Sequence, residues 1–241
     1  MSKILLGSRM KENYEDRYRV KLTRRTPVII RLDGKSFHTL TRGMEKPFDK
    51  TFIKGLNYAV NNVIENIQGA KCAYIQSDEV SILLTDFDRL NSSAWFDYNL
   101  QKLVSVSAAM LSVHFSEWLR NVMKKNRAYF DARAFNIPKE EVVNYFIWRQ
   151  KDWIKNSTSM LARSVYSHKE LYKKKQKDMH EMLYKKGVNW ANLDPVCKNG
   201  TFIYRTVNKY DVTYFKMDYE SDFTKKKYRN IIETYLYEVE Q

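Results

Sequence analysis

The stretch TPVIIRLDG, residues 26–34, limits the possible folds of this chain more than any other. Its apolar, β-branched residues lie between Pro27 and Gly34 and read as a buried strand. That strand ends on a carboxylate, Asp33. Twenty residues follow, 48–67, in which Phe52, Leu56, Val60, Val63 and Ile67 recur at spacings of three and four, which predicts a helix. KCAYIQ (71–76) and VSILLT (80–85) are then two short apolar strands flanking Ser77, Asp78 and Glu79, a link short enough for a hairpin. The first third therefore reads strand–helix–strand–turn–strand, with a right-handed crossover through the helix.

This order lets the end of the first strand meet the hairpin tip, so Asp33 and Asp78 come together from 45 residues apart. Each motif alone is a turn signal, since Asp and Gly favour turns. Together they gather carboxylates that repel one another unless a cation neutralises them. Mg2+ suits such a tip because it takes one or two carboxylates plus substrate phosphates. Two such ions would serve an in-line displacement at phosphorus. Gly34, without a Cβ, lets its backbone carbonyl approach an ion closely.

Further along, residues 90–125 read as a long apolar helix capped by Ser92 or Ser93, and AYFDARAFNI (128–137) as a strand. Pro138 opens a helix over PKEEVVNYFIWRQKDW (138–153). A basic amphipathic helix is expected over 169–187, a hairpin over 201–217 and a closing helix over 222–239. With 7 Gly and 4 Pro the chain has few linker signals and reads as one body over 1–241.

Lys and Arg number 42 against 28 Asp and Glu, a net charge of +14. That excess favours a polyanionic partner such as nucleic acid over a merely solubilising surface. The 17 Tyr and 5 Trp offer base-stacking platforms or ordinary core and rim aromatics. Cys72 and Cys197 have no metal-ligand spacing, and Cys72 falls in a strand as a buried thiol. The apolar run near the N-terminus is too short for a signal-peptide core, and no stretch is long enough to span a bilayer. A cytoplasmic location without a membrane partner is the expectation.

RLDGKSFH, EKPFD (45–49), YIQSDEVSILL, FDARAFNIP and YFIWRQKD stand in the order and spacing of the histidine-tRNA guanylyltransferase family, which the chain resembles from about Pro27 to Gly200. The resemblance implies a magnesium-dependent nucleotidyltransferase with two ions, adding nucleotides in the 3′–5′ direction to the 5′ end of tRNA. GTP or other nucleoside triphosphates, and ATP, would be its substrates. The implied fold is α+β: a polymerase- or cyclase-like palm, a ferredoxin-like βαββαβ antiparallel sheet with helices on one face, carrying a helical and hairpin C-terminal extension. Palm core over about 24–165 and extension over about 166–241 would form a single catalytic domain. Family members are commonly homotetramers.

Matched position by position, the resemblance makes Asp33, the Gly34 carbonyl and Asp78 the metal ligands, with Glu79 a supporting catalytic carboxylate. Asp33, Gly34, Lys35, Ser36, Phe37 and His38 become the nucleotide loop, joined by Ser77 and Asp78 from the hairpin and by Lys46 near the triphosphate. Arg133, Arg149, Gln150, Asp152 and Asn156 match further positions around the site. The residues leave other readings open: a packed His38, a solvated Lys46, and Arg149 with Asp152 as an i,i+3 structural pair. Lys173, Lys174, Lys175, Lys177, Lys185, Lys186 and Lys225, Lys226, Lys227 are the candidate contacts to the tRNA backbone. The chain departs from the family after WRQxD. Eukaryotic members carry HINNLYN, whereas this one reads WIKNSTSM (153–160), with Ile154 where the histidine stands. It is thus more similar to the guanylyltransferase-like branch, which repairs 5′-truncated tRNA, and activation of a 5′-monophosphate with ATP is in question. A GGDEF-like nucleotidyl cyclase and a non-catalytic tRNA-binding protein are the rival readings; the hairpin reads QSDEV, and the net charge suits RNA better than a small nucleotide alone.

Overall fold

The computed structural model describes residues 5–125, 127–210 and 212–237. The first apolar run forms β1 (Val28–Gly34), followed by helix α1 (Lys50–Glu65), the hairpin β2 (Ala70–Gln76) and β3 (Glu79–Leu84), helix α2 (Leu100–Trp118) and β4 (Phe130–Asn136). This is the expected βαββαβ unit. Its strands pair antiparallel, and the hairpin β5 (Thr201–Val207) and β6 (Thr213–Asp218) extends the same sheet in the order β4-β1-β3-β2-β5-β6.

Strand alternation sorts the side chains onto two faces. Ile30, Leu32, Val80 and Ile82 point to α1 and α2, packing with Leu56, Val60, Leu111 and Phe115. Ile29, Tyr74, Leu83 and Phe202 point the other way, against Phe146 of helix α3 (Lys139–Val165) and against Phe223 and Ile232 from the C-terminal segment. The palm unit thus keeps its own two helices on one face, while the second is closed by α3 and by helix α5 (Lys226–Glu233), with Phe223 just before it. Both layers are needed because parts of β1, β2 and β3 are apolar on both faces.

Several helix boundaries differ from the sequence expectation. Residues 90–99 are not α-helical; Trp95–Tyr98 form only a 3-10 turn. Arg24 ion-pairs with Asp86 and Asp97, Lys21 also pairs with Asp97, and Phe96, Asp97 and Tyr98 take positive φ. The N-cap of α2 is accordingly Asn99, whose side chain accepts from the Lys102 amide at 3.0 Å, rather than Ser92 or Ser93. The basic stretch is broken. A short turn, His168–Leu171, is followed by Lys173 at positive φ, and helix α4 (Gln176–Lys185) starts only beyond the lysine run. Lys169, Lys173 and Lys177 stand four apart, and like charges at that spacing weaken a helix. By contrast α3 runs 27 residues, well past Trp153, because no Gly or Pro interrupts it. Its second half is held by Leu161 and Ala162 against Leu171 and Leu183. The closing helix is shorter than expected, and the end of its expected span, 238–239, lies outside the described residues.

Candidate active site

Three elements converge beyond the β2–β3 tip. The first is the end of β1 with its following loop. Lys35 donates its amide to Tyr129 at 2.8 Å, Ser36 is left-handed, and Phe37 is buried among Phe52, Phe115 and Phe130 with ring centroids 5.0–6.0 Å away. That aromatic anchor fixes the loop. It also supplies a second reason for Gly34: a Cβ there would collide with the Phe37 ring, so only glycine lets the strand end this close.

The second element is the hairpin tip. Ser77 takes a left-handed conformation that turns the chain, and Asp78 follows at the tip. Asp33 and Asp78 line one cavity, as the strand order predicts, and neither enters an ion pair among the described residues. Burial holds the Asp78 carboxyl above its ordinary range, and the Asp33 and Glu79 carboxylates push it the same way.

The third element is α3 from Arg149 to Arg163. Arg149, Asp152, Asn156, Ser159 and Arg163 follow at steps of three and four, so they share one helical face. With Asp33 and Asp78 they line a cavity of about 350 Å³. Arg149 binds Glu79 through both groups, Nε to Oε1 at 2.7 Å and a terminal nitrogen to Oε2 at 2.8 Å. The same terminal nitrogen reaches Asp152 at 3.1 Å, so the i,i+3 pair forms. Asp152 in turn accepts from Asn156 at 3.4 Å, and Gln76 donates to Glu79 at 3.1 Å. Glu79 thus faces an arginine and a glutamine, while Asp33 and Asp78 have no cation partner among the described residues.

A second cavity, about 440 Å³, shares Ser77, Asp78, Trp153 and Met160 with the first and adds Gly34, Ser36, Phe37, His38 and Lys46. His38 and Lys46 are exposed at its rim, so the packed-core reading of His38 does not hold. Its inner wall is Phe52, Leu56, Asn57 and Ile75, and Gly200 closes another side; a Cβ on Gly200 would meet the Ile75 carbonyl oxygen at 2.5 Å.

Not all the residues carried over meet here. Lys35 is exposed and lines neither cavity. Arg133 lies on the edge strand β4 across from Arg31 and pairs with Asp131 at 3.7 Å. Gln150 faces the opposite way to Arg149. It donates to the carbonyls of Asn199 and Ser221 and accepts from the Phe223 amide, tying α3 to the C-terminal segments. The nine lysines are all exposed but sit on two elements, Lys173 to Lys186 around α4 and Lys225 to Lys227 at the start of α5. Asn57, Ser159, Met160 and Arg163 were not anticipated. Asn156, Ser159, Met160 and Arg163 do carry the helical signal at steps of three, four and seven, but only once α3 is known to continue past Trp153.

The donor set at the tip fits a hard divalent cation. Asp33, Asp78 and the Gly34 carbonyl offer oxygen alone, and the Asp78 carboxyl, raised by burial and then by its acidic neighbours, has no counter-charge among the described residues. A stability test follows from that shift. Because the folded-state pKa of Asp78 lies above the unfolded one, the protonated form favours folding. That contribution is complete below about pH 3.9 and is lost as pH rises through the folded value. In chelator-treated protein Asp78→Asn therefore melts higher than wild type at pH 7, and the gap narrows toward pH 4. Calorimetry at both pH values measures it; an Asn variant melting below wild type at pH 7 would refute the charge imbalance.

Comparison with known proteins agrees with this architecture. The tRNAHis guanylyltransferase family model matches residues 7–138. The tRNA(His) guanylyltransferase of Debaryomyces hansenii is 31% identical over 208 residues, covering 78% of this chain and 76% of that protein. A solved bacterial tRNA(His) guanylyltransferase (Thg1)-like protein in complex with ATP is 42% identical with a TM-score of 0.89, over 97% of this chain and 99% of that one. The corresponding complex with GTP is 39% identical with a TM-score of 0.81, over 96% and 99%. The strand order, the paired aspartates and these likenesses lead to one conclusion: the chain belongs to the tRNAHis guanylyltransferase family of nucleotidyltransferases.

Proposed function

We propose that this chain extends the 5′ end of tRNA in the 3′–5′ direction under template control, as the guanylyltransferase-like branch does in repairing truncated tRNA. The observation that carries the reading is the meeting of Asp33, Gly34 and Asp78 beside a cavity of nucleotide size. The ATP and GTP complexes of the bacterial relatives support nucleoside triphosphates as ligands of that cavity. Mg2+ would be held by Asp33, Asp78 and the Gly34 carbonyl, and when bound it supplies the positive charge that phosphoryl transfer needs.

The chain's own groups do the positioning. The Phe37-anchored loop and Ser77 orient the triphosphate, and Lys46 and His38 face it from the rim. The nucleotide's 3′-hydroxyl then forms a P–O bond to the activated 5′-phosphate of the RNA, and pyrophosphate, or AMP from an adenylylated end, departs. Glu79, held by Arg149, is a positioning residue that keeps the hairpin tip in register with α3. The exposed lysines around α4 and α5 would meet the tRNA backbone. Palm and extension act as one catalytic domain, since the hairpin continues the palm sheet. A homotetramer in the cytoplasm completes the reading.

Arg163 holds the RNA's 5′-phosphates. It is the cation of the acidic-tip cavity without an ion pair among the described residues, Arg149 being committed to Glu79 and Asp152. Arg163→Ala raises KM for a 5′-triphosphorylated, truncated tRNA about tenfold or more, with kcat changed less. Steady-state kinetics decides, and an unaltered KM removes Arg163 from the site. The function itself is tested by supplying tRNA that lacks its first 5′ nucleotide, with Mg2+ and labelled nucleoside triphosphates. Absence of 5′-extended product defeats the reading.

A further inference from the structure

Asn57 is a polar residue on the buried face of α1. It lies beside Leu56 and shares that face with Phe52 and Val60, and only 4% of it is exposed. It lines the larger cavity, and its Oδ1 has no hydrogen-bond partner among the described residues. A buried amide oxygen left unpaired costs free energy that an apolar side chain of similar shape would not. The same cavity is lined by a second such group, the indole Nε1 of Trp153, which is also buried and unpartnered. The inner wall beside them, Phe52, Leu56 and Ile75, is apolar, so one unpaired acceptor and one unpaired donor there suit the edge of a heteroaromatic ring. Asp49, another polar residue of that cavity, is already committed to the amides of Phe52 and Glu45 as the cap of α1.

We propose that Asn57 reads the nucleobase in this cavity, its amide oxygen accepting a hydrogen bond from an exocyclic amine of the base; this rests on the nucleotidyltransferase reading above. The phosphates lie toward Asp33 and Asp78, while the base reaches inward past Phe52 and Ile75 to α1. The position therefore sets which nucleoside triphosphate is preferred. It does not take part in the chemical step.

Ligand truncation tests this without altering the protein. The full chain with Mg2+ is titrated calorimetrically with ATP and with purine riboside triphosphate, which lacks the 6-amine, and with GTP and inosine triphosphate, which lacks the 2-amine. Wild type loses about tenfold in affinity for the member of one pair that lacks its amine. The pair that responds identifies the preferred base. Asn57→Leu and Asn57→Ala bind the parent triphosphate about tenfold more weakly and treat the members of that pair alike. Asn57→Leu melts no lower than wild type, because it replaces an unpaired polar group by an apolar one. Equal affinities within both pairs for wild type, or the same discrimination in wild type and both variants, would overturn the assignment while leaving nucleotide binding in place. If no triphosphate binds wild type at all, the nucleotidyltransferase reading falls too, which separates the two failures.

Discussion

Asp33→Ala and Asp78→Ala each lower 5′ nucleotide addition by about a thousandfold or more, and both variants stay folded. The size of the loss follows from what the tip lacks without them. Among the described residues lining the tip cavity, Asp33 and Asp78 are the carboxylates left to hold a cation with the Gly34 carbonyl, since Glu79 and Asp152 are bound to Arg149. Charge stabilisation at such a centre is worth several kcal/mol, and loss of one preorganised partner typically costs a hundred- to a thousandfold in rate. Folding survives because each aspartate faces like charge and not a protein cation. Removing Asp78 also relieves the burial and repulsion that hold its carboxyl up. Single-turnover extension of 5′-truncated tRNA with labelled nucleotide measures the rate, and calorimetry checks the fold. Extension persisting in Asp33→Ala would show that the tip does not hold the catalytic ion. A non-catalytic tRNA-binding protein, by contrast, would keep its function in Asp78→Ala.

The part of the site written in local pattern was readable from the sequence. Asp33 and Asp78 each end or turn an apolar strand, and a palm order of strands leaves the two tips adjacent. The anchor was harder to read. Phe37, in the expected nucleotide loop, belongs to the aromatic core, where it constrains Gly34, and a three-residue spacing gives no hint of that packing. Neighbours in sequence were also separated by geometry. Arg149 and Gln150 adjoin in WRQKD, yet a helix turns consecutive residues about 100° apart, so one faces the hairpin and the other the C-terminal segments. Tertiary ion pairs on Asp86 and Asp97 prevailed over helix propensity in residues 90–99. Asn57 was invisible because it occupies a core position of α1, where only the neighbouring cavity distinguishes it from a defect in an apolar stripe.

Arg149→Met destabilises the protein by about 3–5 kcal/mol, a fall in Tm of roughly 10 °C for a chain of this size. Arg149 and Glu79 are 8% and 16% exposed at their side chains and joined by two hydrogen bonds, so removing the guanidinium strands Glu79 in a mostly buried place. The penalty is the desolvation of an unpaired charge and not the worth of the pair itself. The double variant Arg149→Met, Glu79→Met therefore recovers most of the lost stability, while either single change does not. Thermal denaturation of the four proteins closes the cycle. Recovery of Tm without recovery of activity is the expected pattern, because the bridge sets the position of Asp78 one residue before Glu79, and methionines do not reproduce a fixed fork. If Arg149→Met melts within 2 °C of wild type and yet loses extension, Arg149 acts on the substrate phosphates. Arg163 would then share that task, and Glu79, released, would become available to the cation beside Asp33 and Asp78.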